Sequence, residues 1–223
     1  MNLLVLGAVL LGVLLIAIFL NSITQIPSNT VTPVPPLTEG GTSTDLGNFP
    51  TYPIDLYPAV NVSFGDTMGT KFIIKNSAIY PIPSNFTFMD HWSFCRFSTD
   101  YVTISSTHFS NDTATCITGG GFNQVFGNVP IQQGERVIFS VLINVSSGLL
   151  ESEGVGVGTI LSNPLSYLGA DSIGFYDDGV YSTPTVSGSG FTTFSGIDNI
   201  LDMAVDTVAN KLWYRVNGQA WQG

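Results

Sequence analysis

Apolar residues follow two patterns along the chain, and the change from one to the other separates an N-terminal helix from a β-rich remainder. Leu3–Leu20 is an unbroken apolar run of 18 residues. As a helix it would be about 27 Å long, close to the hydrocarbon thickness of a bilayer. Further along, apolar residues alternate with polar ones, as in Lys211–Val216, where Leu212, Tyr214 and Val216 share one face. Alternation with period two predicts strands.

The strand pattern extends over most of the second half of the chain. Arg136 to Ile143 is rich in β-branched and aromatic residues, as a central strand would be. Asn217-Gly218 is a strong hairpin signal. No stretch of 12 residues after the apolar run has a helical period. Strands are predicted over 71–75, 101–105, 113–117, 136–143, 154–160, 172–176, 200–206 and 211–216. The predicted fold is all-β, a two-sheet antiparallel β-sandwich plus one N-terminal apolar helix.

The pattern also predicts three segments. Residues 1–20 form a transmembrane helix or a helix in the core of an assembly. A cleaved signal peptide is the alternative, although its apolar region would be shorter and Lys or Arg would precede it. Residues 21–48 are rich in Pro, Thr and Ser and form an extended linker. Residues 49–223 form the sandwich.

Composition and charge narrow the classes of function. Of all residues, 10% are charged, and the net charge is −10 with only six basic residues. So few cations cannot track a phosphate backbone, which excludes a nucleic-acid partner. The 24 glycines and 12 prolines suit a fold with many turns. Low charge with abundant Ser, Thr and Asn favours an extracytoplasmic or virion surface.

Four stretches in order resemble the SPRY family. They are Gly134 to Val141, Gly154 to Gly158, Ser172 to Gly179 and Val205 to Gly218. The resemblance covers roughly residues 90 to 218, and Ser140 stands where the family often has an acidic residue. It implies a concanavalin-like jelly-roll sandwich that binds partners through its loops.

The order of these stretches differs from the family in one respect. In SPRY domains a further strand follows the Val-Asn-Gly hairpin, but here the matching "LYPAV" and Gly-Asp segments occur at Asp55 to Ile74. Tyr80 to Phe86 is similar to the tail that ends such domains. The resemblance therefore implies a circular permutation, with the C-terminal strands supplied by about 54–88, either within the chain or to a neighbour.

Two cysteines and two histidines are the candidates for a cross-link or a metal site. The spacing of Cys95, Cys116, His91 and His108 fits no common zinc pattern. A Cys95–Cys116 disulfide is the preferred interpretation for an extracytoplasmic domain, and two buried thiols are the alternative. No metal and no cofactor is predicted.

Acidic residues suggest chemistry at two places. Glu151 and Glu153 share one side of an extended chain, and paired carboxylates can hydrolyse glycosides. Their position between a turn and a Gly-rich strand favours a solvated loop instead. The tight turn from Tyr176 to Tyr181 carries Asp177 and Asp178, an incomplete ligand set for Ca²⁺. No catalytic residue is predicted.

Four Asn-x-Ser/Thr sequons are candidates for glycosylation. They lie at Asn61, Asn85, Asn111 and Asn144. Asn61 and Asn144 adjoin apolar strand residues, which disfavours their use.

The functional prediction is a non-enzymatic surface protein of a cell or virion, fixed to a membrane through Leu3–Leu20. Its SPRY-like domain would bind a protein or glycan partner through a loop face. The residues predicted for that face are Asn163, Tyr167, Asp177, Asp178 and Tyr181. One alternative is a structural subunit of a filament or shell, in which the chain forms a homo-oligomer. A glycan hydrolase is a remote alternative.

Overall fold

The computed structural model describes residues 44–45, 55–62, 69–117, 123–144, 153–184, 187–194 and 198–223. Within these ranges every regular element is a β-strand. The part of the chain described contains no helix of a length and apolarity that would cross a bilayer. Leu3–Leu20 and most of the 21–48 linker lie outside the described residues.

Fifteen strands make up the described fold. Their bounds are β1 Thr44–Asp45, β2 Leu56–Val62, β3 Lys71–Lys75, β4 Thr87–Phe88, β5 Phe94–Arg96, β6 Val102–Ser105, β7 Thr113–Cys116, β8 Asn123–Gly127, β9 Arg136–Asn144, β10 Gly154–Thr159, β11 Ser172–Tyr176, β12 Val180–Ser182, β13 Ser187–Ser189, β14 Asn199–Asp206 and β15 Lys211–Val216.

The strands form two sheets. Sheet I has the order β1-β15-β14-β9-β3-β7-β6, with β4 attached to β9, and sheet II has the order β13-β12-β11-β10-β2-β8-β5. Every pairing is antiparallel except that of β4 with β9. The predicted class, an all-β protein with two antiparallel sheets, is confirmed for the described residues.

The core lies between the two sheets because alternate side chains of each strand point inward. On β9, Val137, Phe139, Val141 and Ile143 belong to this core. Sheet II contributes side chains such as Val155 from β10. Alternation on the central strands therefore supplies both faces of one apolar layer.

The outer face of sheet I is also covered. Ile138, Ala204 and Trp213 form a separate cluster there with Phe86, whose ring meets Trp213 edge-on. Beside this cluster Arg215 donates from Nε to Asp202 at 2.6 Å. Both side chains of this ion pair are buried. The outer face of sheet I is therefore covered by other parts of the chain rather than by water.

The segment from Leu56 to Ile74 lies in the interior of both sheets. β2 is paired with β10 on one side and with β8 on the other. β3 lies between β9 and β7 in sheet I, the sheet that also contains β14 and β15. A chain region far from the C-terminal hairpin in sequence therefore completes the sheets that flank the core.

All eight predicted strands are present, with ends that differ by at most one residue. The short strands β1, β4, β5, β8, β12 and β13 were not predicted from the sequence, and β2 was expected only through the family resemblance of the segment at about 54–88. Asn217 and Gly218 have φ values of 49° and 73°, as a type I′ hairpin turn requires. The return from this hairpin is a single bridge between Gln222 and Tyr214 rather than a full strand.

The predicted disulfide is wrong for this structure, in which Cys95 and Cys116 are not joined. Cys95 is exposed on β5 at the edge of sheet II. Cys116 lies on β7 in sheet I and packs into the core. The two side chains belong to different sheets and face different surroundings, so their proximity in sequence does not bring the sulfurs together.

Candidate functional site

A strip of glycines occupies the outer face of sheet II. Gly154, Gly156 and Gly158 alternate along β10, and Gly156 pairs with Gly174 on β11. The chain between β10 and β11, residues 160–171, lies over this strip and is named the apolar loop below. Its Leu168 packs into a small cluster on the outer side of the sheet, and a Cβ on Gly174 would approach Leu168 Cβ to 2.6 Å. Because the glycines lack side chains, the apolar loop can pack directly against the backbone of β10 and β11.

Arg96 fixes the start of the apolar loop. Its guanidinium donates to the carbonyl oxygens of Ile160 at 2.8 Å and Ser162 at 2.7 Å. A third hydrogen bond reaches the carbonyl of Thr159 at 2.6 Å. The planar group also lies 3.9 Å from the centroid of the Phe126 ring. One side chain thus holds three carbonyl groups within four residues of backbone, a geometry that suits the planar, multiply donating guanidinium group.

Gln124 of β8 fixes the middle of the apolar loop. Its Nε2 donates to the carbonyl oxygens of Asn163 at 3.1 Å and Tyr167 at 3.2 Å. Ser172 donates to its Oε1 at 2.7 Å. Its backbone N–H donates to the Pro164 carbonyl at 2.9 Å. Gln124 is fully buried, so these bonds are made in a medium that strengthens them.

Asp171 closes the loop on itself. Its carboxylate accepts a hydrogen bond from the backbone N–H of Asn163 at 2.6 Å, and its carbonyl accepts one from the Ser162 hydroxyl at 2.7 Å. The Tyr176 hydroxyl donates to the Leu168 carbonyl on the other side. Polar groups of the loop therefore point inward and are used to hold its backbone.

Apolar side chains of the same loop point outward. Ile160, Leu161, Leu165 and Tyr167 are exposed by 58%, 76%, 59% and 41%. They are four of the six strongly exposed large hydrophobic residues in the described part of the chain, the others being Ile79 and Val208. Residues 160–167 carry no charge. A concentration of aliphatic surface on an ordered loop is typical of an interaction site.

The structure divides the residues predicted for the binding face. Asn163 and Tyr167 lie on the apolar loop and are exposed, and Asp178 is exposed in the β11–β12 turn. Tyr176 packs with Leu168 on the outer side of sheet II, and its pKa is raised by burial and, to a smaller extent, by the nearby Tyr167 and Asp178. The exposed residues Asn163, Tyr167 and Asp178 therefore lie on one side of sheet II.

The other two predicted residues face inward. Asp177 is buried, and its backbone N–H donates to the Glu153 carbonyl at 3.0 Å. Tyr181 is half-buried and packs edge-on against Phe191, with ring centroids 5.3 Å apart. Asp177 is thus covered by the fold, whereas the Tyr181 ring packs against the end of the sandwich core and keeps part of its surface exposed.

The acidic and histidine candidates that the structure describes lie at separate places in the fold. Glu153, expected in a solvated loop, is buried at the start of β10, which corrects that interpretation; Glu151 lies outside the described residues. His91 is exposed beside Asp90, with Nδ1 and Oδ1 2.6 Å apart, and His108 is exposed in the loop before β7. Among the described residues, no group of three or more His, Cys, Asp or Glu could hold a metal ion.

The four sequon asparagines differ in burial. Asn111 is exposed with a φ of 55°, at the tip of the loop between β6 and β7. Asn61 is fully buried in β2, which leaves no room for a glycan in the folded domain. Asn85 is half-buried, and Asn144 donates to Asp198 Oδ1 at 2.6 Å. Asn111 is therefore the candidate that the fold accommodates best.

Sequence reasoning missed most of the apolar loop. It selected Asn163 and Tyr167, the ends of a turn that contains Leu165, but it did not select Ile160 or Leu161 or identify the aliphatic surface. One signal was available, because three aliphatic residues within the turn-rich stretch Ile160 to Tyr167 do not alternate as a half-buried strand would. In comparisons with family models, curated proteins and solved structures, nothing matches this chain, so the functional argument rests on the geometry of the apolar loop.

Proposed function

We propose that the chain is a membrane-anchored, non-enzymatic surface protein of a cell or virion, and that its sandwich binds a protein partner through the apolar loop. The observation that carries the proposal is the exposure of Ile160, Leu161, Leu165 and Tyr167 on a backbone held by Arg96 and Gln124. Leu3–Leu20 provides the proposed anchor.

Order in the loop supports a role in binding. Partners lose affinity when side chains and loops must be immobilised on association. Here the Arg96 and Gln124 hydrogen bonds fix the backbone in advance, so the exposed aliphatic groups are presented in one arrangement. An apolar surface that only filled a structural gap would be covered by the fold itself.

The chemistry of the loop favours a protein over a glycan. Sugars present hydroxyl groups that need hydrogen-bond partners when they are desolvated. The carbonyls of Ile160, Ser162 and Asn163 already accept from Arg96 and Gln124. The outward surface is mainly aliphatic, as in the apolar centre of a protein–protein interface.

The resemblance to SPRY domains agrees with this function, because that family binds proteins through loops on a two-sheet sandwich. We extend the proposal to a circular permutation, in which β2 and β3 replace strands that follow the Val-Asn-Gly hairpin in the family. The burial of Glu153 and Asp177 favours a structural role for these carboxylates rather than glycoside hydrolysis.

Site-specific photo-cross-linking in the membranes of intact cells tests the proposal. A photo-reactive side chain replaces Leu161, and the same group at Val208, which is 55% exposed on the β14–β15 turn, is the matched control. A discrete protein adduct is expected from position 161, absent from position 208 and lost with Leu165→Asp. Equal labelling from both positions, or binding to a glycan array that survives Leu165→Asp, would count against it.

A further inference from the structure

We infer that the protein partner is a second copy of this chain, with two apolar loops packed against each other about a two-fold axis. The inference rests on the proposed function and deepens it by naming the partner. An isologous contact of this kind needs a single surface that is complementary to itself. The apolar loop meets that requirement because an aliphatic surface is complementary to an identical aliphatic surface. A surface with charges of one sign would instead repel its own copy.

Charge restricts where two copies can meet. The chain has 16 acidic and six basic residues, so contact between most pairs of surfaces brings like charges together. Residues 160–167 carry no charge. The nearest acid in sequence, Asp171, accepts from the backbone N–H of Asn163 and from Gln124. Residues 160–167 of the apolar loop are therefore an uncharged area on a chain whose net charge is −10.

The size of the loop suits a small symmetric interface. Its four outward side chains expose roughly 400–500 Å² per copy, on side-chain areas of about 200 Å². Self-association buries this area twice, which is about the 1,000 Å² that separates specific interfaces from chance contacts. The result is a weak dimer in dilute solution. Two copies anchored in one membrane have a high effective concentration, and the same contact then suffices.

A bilayer is the competing occupant, and the charges disfavour it. Loops that dock on membranes combine apolar groups with Lys or Arg that contact anionic headgroups. Arg96 is the nearest cation described, and its guanidinium donates to the carbonyls of Thr159, Ile160 and Ser162. With a net charge of −10, the chain would be repelled by an anionic surface.

Disulfide trapping of the full chain tests the inference. In a Cys95→Ser background, Leu161→Cys and the control Val208→Cys are each reconstituted in neutral phosphatidylcholine vesicles and oxidised. We expect dimers to form about tenfold faster through position 161, and Leu165→Asp to slow that reaction about tenfold. A dimer held by Leu3–Leu20 alone would link both positions equally, which would overturn the inference. Leu165→Ser replaces Leu165→Asp if the latter changes the urea midpoint.

Photo-cross-linking from position 161 separates this inference from the proposed function. If the adduct is another protein and the Leu161→Cys chains do not link, the second copy is excluded and the binding module stands. If the group at 161 labels phosphatidylcholine instead, or labels nothing above position 208, both are overturned. A covalent dimer that Leu165→Asp abolishes supports both.

Discussion

Arg96 is the residue on which the apolar loop depends most. Its three hydrogen bonds reach backbone carbonyls rather than a carboxylate, so it acts as a structural fork and not as half of an ion pair. No sequence pattern singles it out, because its partner atoms are main-chain carbonyl groups about 65 residues away in the chain. The same holds for Gln124.

Arg96→Ala should lower the free energy of unfolding by about 2–3 kcal/mol, since it removes charged hydrogen bonds and leaves carbonyls unpaired. Arg96→Lys should lower it by less, because one ammonium cannot span three carbonyls. Arg136→Ala is the control, as its ion pair with Asp206 is partly exposed and worth under about 1 kcal/mol. Urea denaturation measures all three. A loss for Arg96→Ala no greater than that for Arg136→Ala would refute the assignment.

Asp112 gives a pH-dependent prediction. Its carboxylate is buried and accepts from the backbone N–H groups of Thr107, His108 and Phe109 at 2.7, 2.6 and 3.1 Å. Burial raises its pKa, but the hydrogen bonds outweigh burial and bring the pKa below the usual Asp value. A depressed folded-state pKa stabilises the protein above the unfolded value of about 4, and this is lost as the pH falls through the folded pKa.

Asp112→Asn should therefore cost about 1–3 kcal/mol at pH 7. Its difference from the parent protein should begin to narrow below about pH 4, where the carboxylate of the unfolded chain takes up a proton, and should narrow further as the pH falls through the lower folded pKa. Urea midpoints at pH 7 and pH 3 provide the measurement. A difference that is the same at both pH values would show that the carboxylate charge contributes nothing.

At the scale of elements, the glycine strip determines where the apolar loop can lie. Gly156 and Gly174 face each other on β10 and β11, and an added Cβ meets different obstacles at the two positions. At Gly156 it would lie 1.9 Å from the Ile173 carbonyl oxygen, which belongs to the paired backbone. At Gly174 it would lie 2.6 Å from Leu168 Cβ, which is attached directly to the backbone of the apolar loop, so the loop would have to shift.

Gly156→Ala should thus destabilise the fold by about 3 kcal/mol or more, and Gly174→Ala by about 1–2 kcal/mol, because the first displaces the backbone of a paired strand and the second displaces a surface loop. Gly174→Ala should also speed amide hydrogen exchange across residues 160–171 while β9 and β14 remain protected. Urea denaturation and exchange measured by mass spectrometry check both. Unchanged hydrogen exchange in the loop of Gly174→Ala would show that the glycine strip does not determine the position of the apolar loop.

The strands that were predicted share a composition that the missed ones lack. Arg136–Asn144 contains enough β-branched and aromatic residues to identify a strand without its neighbours. Phe94–Arg96 and Ser187–Ser189 have three residues each, too few for a period to show, and they exist because a longer strand pairs with them. Cys95 and Cys116 illustrate the same limit, since the sheet to which each belongs is a tertiary property.

For the whole molecule, the sequence predicted the sandwich because two-sheet packing follows from alternation on many strands. It also selected Leu56 to Ile74 as a source of strands, on the resemblance of this segment to the end of a SPRY domain. Only Asn163 and Tyr167 of the apolar loop were selected, because the exposure of its aliphatic side chains depends on the layer beneath it. The permutation itself stays a prediction, and its consequences for folding can be tested on fragments.

A fragment that begins at Asp90 should not fold. It lacks β2 and β3, which are interior strands of sheets II and I. These strands bury Leu56, Val60, Val62, Phe72 and Ile74 in the core. At roughly 1.5–3 kcal/mol for each side chain, their loss removes about 8–15 kcal/mol, as much as the whole stability of a typical domain.

The loss of β2 leaves β10 and β8 unpaired on one side, and the loss of β3 does the same to β9 and β7. The four new strand edges invite aggregation. A fragment from Thr44 to Gly223 is the matched control and should melt cooperatively. Co-expression of residues 44–89 should rescue the shorter fragment, because it restores both missing strands in trans. Calorimetry and size-exclusion chromatography measure these outcomes. A monomeric 90–223 fragment with a cooperative melt would show that the sheets close without β2 and β3, and the permutation would have to be abandoned.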